Sequence, residues 1–134
     1  MLGPDDAGMA QPTILIVDDH DAFRAAARGL LSRRGFCVVG ESATGQEAVE
    51  AASRLRPDVV LLDVQLPDID GFEVARAVLA MPAPPAVVLV STRDARDFGG
   101  RIRASGALGF ITKSRLSGDT LSALLQGATE GERA

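Results

Sequence analysis

The segment TILIVDDHDAF, residues 13–23, passes from an apolar run directly into a group of carboxylates. The run TILIV has the length and β-branched content of a buried strand, and residues 21–34 repeat apolar side chains at helical spacing until Gly35. The segment therefore predicts a strand followed at once by a helix. Asp18 and Asp19 lie at the junction, where neighbouring carboxylates repel each other and weaken the fold unless something compensates their charge.

The same alternation of strand and helix continues along the whole chain. Further strands are predicted at 36–42, 58–64, 86–91 and 107–112, and further helices at 43–56, 71–81, 95–105 and 117–128. Parallel strands need crossover helices, and these crossovers are right-handed. The pattern predicts an α/β fold with a five-stranded parallel, doubly wound sheet of the flavodoxin-like type. The helix at 95–105 is the weakest, because it contains FGG at 98–100.

The length and composition indicate one domain. With 134 residues and 46% hydrophobic side chains, the chain is expected to form a flexible N-terminal tail at 1–11, a folded domain at 12–128 and a C-terminal tail or linker start at 129–134. No apolar run is long enough to span a bilayer, so we expect a cytoplasmic protein without membrane contact. The net charge of -4, without a basic run, predicts no direct binding to nucleic acid. Cys37, the only cysteine, is predicted to be a small core residue.

Polar side chains stand where the predicted strands end. Because the carboxyl ends of parallel strands share one edge of the sheet, side chains far apart in sequence converge there. The set comprises Asp18, Asp19, Asp63, Ser91 and Lys113. Clustered carboxylate oxygens suit Mg²⁺, and a carboxylate beside such an ion can attack phosphorus to give an aspartyl phosphate. The sequence therefore predicts phosphoryl chemistry at this edge.

Four motifs in this order resemble the receiver domain of two-component response regulators. They are VDDH at 17–20, LLDVQLPDIDG at 61–71, VLVST at 88–92 and GFITK at 109–113. Each motif alone is common, whereas the four together on predicted strand ends are specific. The resemblance covers residues 12–128 and is to receivers that precede a helix-turn-helix output domain.

The resemblance implies a phosphoacceptor site. Asp63 would accept a phosphoryl group from a sensor histidine kinase, and Lys113 would contact that group. Asp18, Asp19 and Asp63 would hold Mg²⁺ together with the backbone carbonyl of Gln65. The chain would then be a signalling phosphoacceptor rather than an enzyme, with only limited self-phosphorylation and self-dephosphorylation chemistry.

The resemblance also implies a switch and an output. Ser91 and Thr92 would contact the phosphoryl group, and Phe110 would pass the change to a face formed by helix 4, strand 5 and helix 5, through which a homodimer could form. Gln65 and Arg93, each two residues beyond a site residue, would tune dephosphorylation. The chain is expected to be either a stand-alone receiver or the receiver part of a DNA-binding transcription regulator.

Several residues have alternative interpretations. Asp18 and Asp19 could cap the following helix, and Phe110 could be a core side chain. His20 is interpreted as a loop residue, because Mg²⁺ prefers oxygen ligands. Ser114 follows the lysine where many family members have a cis proline, so a trans peptide is expected.

Other function classes fit less well. A phosphohydrolase with an aspartate nucleophile needs a general acid two residues after Asp63, and Gln65 occupies that position. A dinucleotide-binding oxidoreductase needs a glycine-rich turn after the first strand, and DDHDAF has no glycine. The remaining alternative is a pseudo-receiver, a binding module that works without phosphate.

Overall fold

Five strands and the segments that connect them alternate along the computed structural model, which describes the backbone of residues 11–133 and the side chains of residues 11–127. The strands are β1 Thr13–Val17, β2 Cys37–Ser42, β3 Val59–Asp63, β4 Ala86–Ser91 and β5 Gly109–Thr112. The helices are α1 Asp21–Arg33, α2 Gly45–Leu55, α3 Gly71–Leu79, α4 Arg101–Ala104 and α5 Gly118–Arg133. Short 3₁₀ turns occupy Ala95–Phe98 and Lys113–Arg115.

The strands form one parallel sheet in the order β2-β1-β3-β4-β5. This order confirms the predicted doubly wound, flavodoxin-like fold. The chain crosses from one side of β1 to the other between β2 and β3, so the carboxyl ends of β1 and β3 flank the point where the winding reverses. A crevice at that point is where open α/β sheets bind ligands.

Alternate residues of the central strands supply two separate cores. On one face, Leu15, Val17, Val60 and Leu62 pack against α2 and α3. On the other face, Ile14, Ile16, Val59 and Leu61 pack against α1 and α5. All eight side chains are at most 2% exposed. Both faces are covered, and this explains why β3 is apolar at consecutive positions.

The predicted helix starts are close to those observed. Ser117 caps α5 as predicted, because its Oγ accepts the backbone N–H of Thr120 at 3.0 Å. α5 continues to Arg133, although its predicted end was at residue 128. Residues 1–10, which make up nearly all of the predicted N-terminal tail, lie outside the described residues, as does residue 134.

The helix predicted at 95–105, the weakest of the five because of its two glycines, is short and interrupted in the structure. A 3₁₀ turn at Ala95–Phe98 and the single turn of α4 replace it, and Gly99 separates them with φ of 59°. A left-handed φ is accessible to glycine but stops an α-helix. Neither piece contains a fully buried residue, and partly buried Phe98 and Ile102 hold the segment to the core.

The prediction of Cys37 as a core residue is also wrong. Cys37 begins β2, which is an edge strand, and its side chain is exposed.

Among residues 11–133, no helix is both long and apolar enough to cross a membrane. The same residues contain no cis peptide bond, so the peptide between Lys113 and Ser114 is trans as expected.

Candidate functional site

The end of β1 and the end of β3 bring two buried carboxylates together. Asp18 follows the last residue of β1 and is 0% exposed, and Asp63 ends β3 and is 3% exposed. β1 and β3 are paired, with Val17 opposite Leu62, so the two aspartates emerge side by side. One ligand atom from each of Asp18, Asp19, His20 and Asp63 lies within 4.8 Å of the others. The predicted convergence of the three acids is therefore present.

Lys113 reaches into this acid cluster from the end of β5. Its Nζ lies 2.5 Å from Oδ2 of Asp18 and 3.5 Å from Oδ2 of Asp63, and its side chain is only 11% exposed. The ammonium also lies 4.4 Å from the ring centroid of Phe23, in cation–π geometry. The sequence predicted the position of Lys113. It did not identify Phe23, because the ring comes close to the lysine only when α1 packs on the face of the sheet.

The loop between β1 and α1 is organised by Asp18. Its Oδ1 accepts the backbone N–H of His20 at 2.8 Å, and Nδ1 of the same histidine lies 3.0 Å away. Oδ1 of Asp19 lies 3.3 Å from that nitrogen. His20 is the N-cap residue of α1 and makes no side-chain cap, so neither aspartate caps the helix. His20 is a loop residue as expected, but it touches the acids.

The donor set fits a hard divalent cation. Three carboxylates supply oxygen atoms within a small volume, and the buried Oδ2 of Asp18 has the Lys113 ammonium as its charged partner. The nearby Lys113 ammonium supplies one positive charge against three negative charges. An oxygen-rich site with residual negative charge and an exposed side suits Mg²⁺, which retains several water ligands in proteins.

The surroundings of Asp63 shift the pKa of its carboxyl group. The pKa is raised from 3.8 to about 6, and burial is the largest cause. The backbone N–H of Gln65 and the ammonium of Lys113 act in the opposite direction and lower the pKa, whereas the Asp18 charge contributes to the increase. Oδ1 of Asp63 accepts that N–H at 3.1 Å. Asp63 is thus mostly ionised at neutral pH, as a nucleophile must be.

The loop from β3 to α3 is tied to the rest of the fold. Asp68 accepts the backbone N–H groups of Gly45 at 2.7 Å and Gln46 at 3.0 Å, so it covers the start of α2. Gly71 opens α3 against the end of β3, where an added Cβ would lie 2.5 Å from the carbonyl oxygen of Asp63. The sequence predicted that Gly71 starts this helix. The role of Asp68 was missed, because its partners lie more than 20 residues away.

Ser91 lies beside the acid cluster at the end of β4. It is fully buried, and its Oγ accepts the backbone N–H of Arg93 at 3.0 Å. Among residues 11–127, its hydroxyl donates no hydrogen bond, so the proton is available to a ligand. Thr92 and Arg93 are exposed, and Arg93 lies over the ring of Phe98 at 5.6 Å from its centroid.

Phe110 is half-buried rather than a full core residue. Its ring centroid lies 5.8 Å from that of Phe98, which in turn lies 5.7 Å from that of Phe72. The three rings form a chain from the start of α3 to β5. Beside Phe110 is an open groove of about 500 Å³, whose lining includes Arg115 and Leu124.

Comparisons with known proteins show what this chain is similar to. The family described as response regulator receiver domain matches residues 14–126. The response regulator GacA of Pseudomonas aeruginosa is 39% identical over 101 residues, which are 75% of this chain and 47% of GacA. The transcriptional regulatory protein PdtaR of Mycobacterium tuberculosis is 36% identical over 126 residues, which are 92% of this chain and 61% of PdtaR. The chain thus spans about half the length of the curated relatives it matches.

A solved structure gives the same result. The signal receiver domain of the response regulator NarL from Mycobacterium tuberculosis superposes with a TM-score of 0.79 at 33% identity. The alignment covers 89% of this chain and 97% of that domain.

Proposed function

Because the chain belongs to the response regulator receiver domain family, we propose that Asp63 accepts a phosphoryl group from the phosphohistidine of a sensor histidine kinase. The observation that carries the proposal is the buried, ionisable Asp63 carboxylate, which lies beside the Asp18 carboxylate and the Lys113 ammonium. A carboxylate oxygen forms the bond to phosphorus as the nitrogen–phosphorus bond breaks. The imidazole nitrogen keeps the two electrons of the broken nitrogen–phosphorus bond. Because the ring is protonated before the transfer, it leaves as a neutral imidazole.

The neighbouring side chains stabilise the transferred group. The Lys113 ammonium lies within reach of Asp63 and would pair with one phosphoryl oxygen. The Ser91 hydroxyl would donate a hydrogen bond to another phosphoryl oxygen. Thr92 follows on the exposed side of the same strand end. Mg²⁺ held by Asp18, Asp19, Asp63 and the carbonyl of Gln65 would neutralise further charge on the phosphoryl oxygens.

The signal would leave the site through the side chains at the end of β4 and in β5. If Ser91 turns toward a phosphoryl group, the space beside it changes, and Phe110 can move against Phe98. Phe98 belongs to the broken segment before α4, so a small displacement of its ring would alter the surface formed by α4, β5 and α5. We infer that this surface, with its groove beside Phe110, binds a second copy of the chain.

The wider role follows the relatives. Since PdtaR is named a transcriptional regulatory protein, we assign this receiver to transcription control in the cytoplasm, alone or as part of a longer regulator. With a net charge of -4, its contribution would be protein contact rather than direct binding to nucleic acid. Gln65 and Arg93, both exposed beside site residues, would set how fast water removes the phosphoryl group.

Intact-mass spectrometry with a small phosphodonor tests the proposal. The protein, incubated with acetyl phosphate and Mg²⁺, should gain the mass of one phosphoryl group, and removal of Mg²⁺ should abolish the gain. Asp63→Asn should not react, whereas Asp119→Asn, which removes an acid on the surface of α5, should react like the parent. An unchanged gain in Asp63→Asn would overturn the assignment. No gain together with no Mg²⁺ binding would favour a pseudo-receiver.

A further inference from the structure

We propose that Arg24 is a positioning residue for the metal-binding acids and that it acts through the backbone carbonyl of Asp18. Arg24 lies in the first turn of α1, and its side chain is only 15% exposed. Nη1 donates to the Asp18 carbonyl at 2.5 Å, and Nε donates to Oε1 of Glu41 at 3.0 Å. Nη2 pairs with the carboxylate of Asp21. The inference rests on the proposed magnesium site.

The backbone carbonyl of Asp18 determines how the side chains of Asp18 and Asp19 are directed relative to each other. Because a peptide unit is planar, the carbonyl of Asp18 and the N–H of Asp19 turn together, and the orientation of this plane sets the relative direction of the two acids. The preceding peptide is already fixed, since the N–H of Asp18 donates to the carbonyl of Ser42 at 3.0 Å. β1 ends at Val17, so the strand ladder does not hold the next plane. Arg24 supplies the missing hydrogen bond.

Glu41 in turn holds Arg24. This residue lies near the end of β2, and its two carboxylate oxygens accept from Arg24 and from Arg28, the latter at 2.6 Å. The planar guanidinium of Arg24 can therefore bridge the carbonyl and the carboxylate with separate donors. An ammonium on a flexible stem cannot reproduce this fixed fork, so lysine is a poor replacement here.

Arg28 provides a matched control. It is on the same helix, carries the same charge and bonds to the same glutamate, but its side chain is 47% exposed and makes no contact with Asp18. Removing either arginine costs Glu41 one partner. Only the removal of Arg24 frees the peptide between Asp18 and Asp19.

The sign of the change in Mg²⁺ affinity distinguishes positioning from charge. If Arg24 contributed only its positive charge, Arg24→Met would reduce repulsion of the cation and tighten Mg²⁺ binding. If Arg24 orients the ligands, the same variant binds Mg²⁺ more weakly, by about tenfold, which is typical for loss of a residue that supports metal ligands. Arg24→Lys keeps the charge, so a pure charge effect predicts unchanged affinity and positioning predicts weaker binding.

Isothermal titration calorimetry of the full chain with Mg²⁺ alone, without phosphodonor, provides the measurement. Weaker binding in Arg24→Met and Arg24→Lys, with Arg28→Met within about twofold of the parent, would support the inference. Thermal unfolding of all variants in metal-free buffer identifies any that do not fold, and Arg24→Lys then remains as the test. Equal or tighter binding by folded Arg24 variants would overturn it. If the parent itself fails to bind Mg²⁺, both this inference and the proposed metal site are wrong. If the parent binds Mg²⁺ and the folded Arg24 variants bind it equally well, only this inference is wrong.

Discussion

The Nζ atom of Lys113 lies closer to Asp18 than to Asp63, at 2.5 Å from one Oδ2 and 3.5 Å from the other. The lysine thus pairs with an acid assigned to the metal rather than with the assigned phosphoacceptor. Oδ2 of Asp18 is a buried atom, and the ammonium of Lys113 is the charged group that compensates it. Metal and lysine therefore compete for the same carboxylate.

This competition predicts opposite effects of one substitution. Lys113→Met should bind Mg²⁺ at least about fivefold more tightly, because a positive charge near the cation is worth about 1 kcal/mol or more. Its phosphorylation by acetyl phosphate should nevertheless fall, because no ammonium meets the phosphoryl oxygens. Calorimetry and intact-mass spectrometry measure the two effects. Weaker Mg²⁺ binding in this variant would show that the lysine does not oppose the metal.

Asp63 should cost stability when it is ionised without metal. Its pKa is raised from 3.8 to about 6, so the folded state binds the proton more tightly and stability falls as pH rises between these values. Asp63→Asn removes this cost and should be more stable above pH 6 by up to about 3 kcal/mol, from about 1.4 kcal/mol per pKa unit. Urea unfolding in metal-free buffer measures the difference. The advantage should shrink toward pH 4, and a parent that is more stable above pH 6 would contradict the prediction.

Asp68 should stabilise the fold from the loop after β3. The N–H groups of Gly45 and Gln46 lower its pKa, so its contribution is complete above the unfolded-state pKa and is lost as pH falls through the lower folded-state pKa. Asp68→Ala should therefore lower the urea midpoint at neutral pH and match the parent in acid. Glu50→Ala, on the exposed side of α2, should have little effect. Equal midpoints of Asp68→Ala and the parent at neutral pH would exclude this role.

The two glycines before α4 should respond in opposite directions to alanine. Gly100 has φ of -82° and nothing within 4 Å of an added Cβ, so Gly100→Ala should stabilise by about 0.4–1 kcal/mol. Gly99 has φ of 59°, so Gly99→Ala should destabilise by about 1 kcal/mol or more. Urea unfolding measures both changes in stability.

Backbone amide hydrogen exchange at 95–104 should be faster than in α1, because this segment contains no long helix. Protection equal to that of α1 would contradict the prediction that the segment opens easily.

The sequence was sufficient to predict the fold and to bring the acids together. Asp18, Asp63 and Lys113 follow strands whose apolar runs are unambiguous, and parallel winding brings all such ends to one edge whatever the strand order. The same reasoning failed for Cys37, because the strand order decides which strand is at the edge, and FCVV at 36–39 has the apolar appearance of an interior strand.

Residues that act through tertiary contacts were not predictable. Arg24 has the same appearance as Arg28 in the sequence, since both are basic residues on an amphipathic helix, and both bond to Glu41 in the structure. Only the hydrogen bond from Arg24 to the backbone carbonyl of Asp18 distinguishes them. Asp68 is one of several loop acids, and its partners at the start of α2 are close only in the folded chain.

The central claim is that the phosphoryl group is attached to Asp63. Borohydride reduction of the phosphorylated protein converts an aspartyl phosphate to homoserine, and tandem mass spectrometry of the peptides then identifies the modified position. We predict homoserine at position 63 alone, after incubation with acetyl phosphate and Mg²⁺. Homoserine at another aspartate, or a phosphoryl group that resists reduction, would contradict the assignment of Asp63 as the phosphoacceptor.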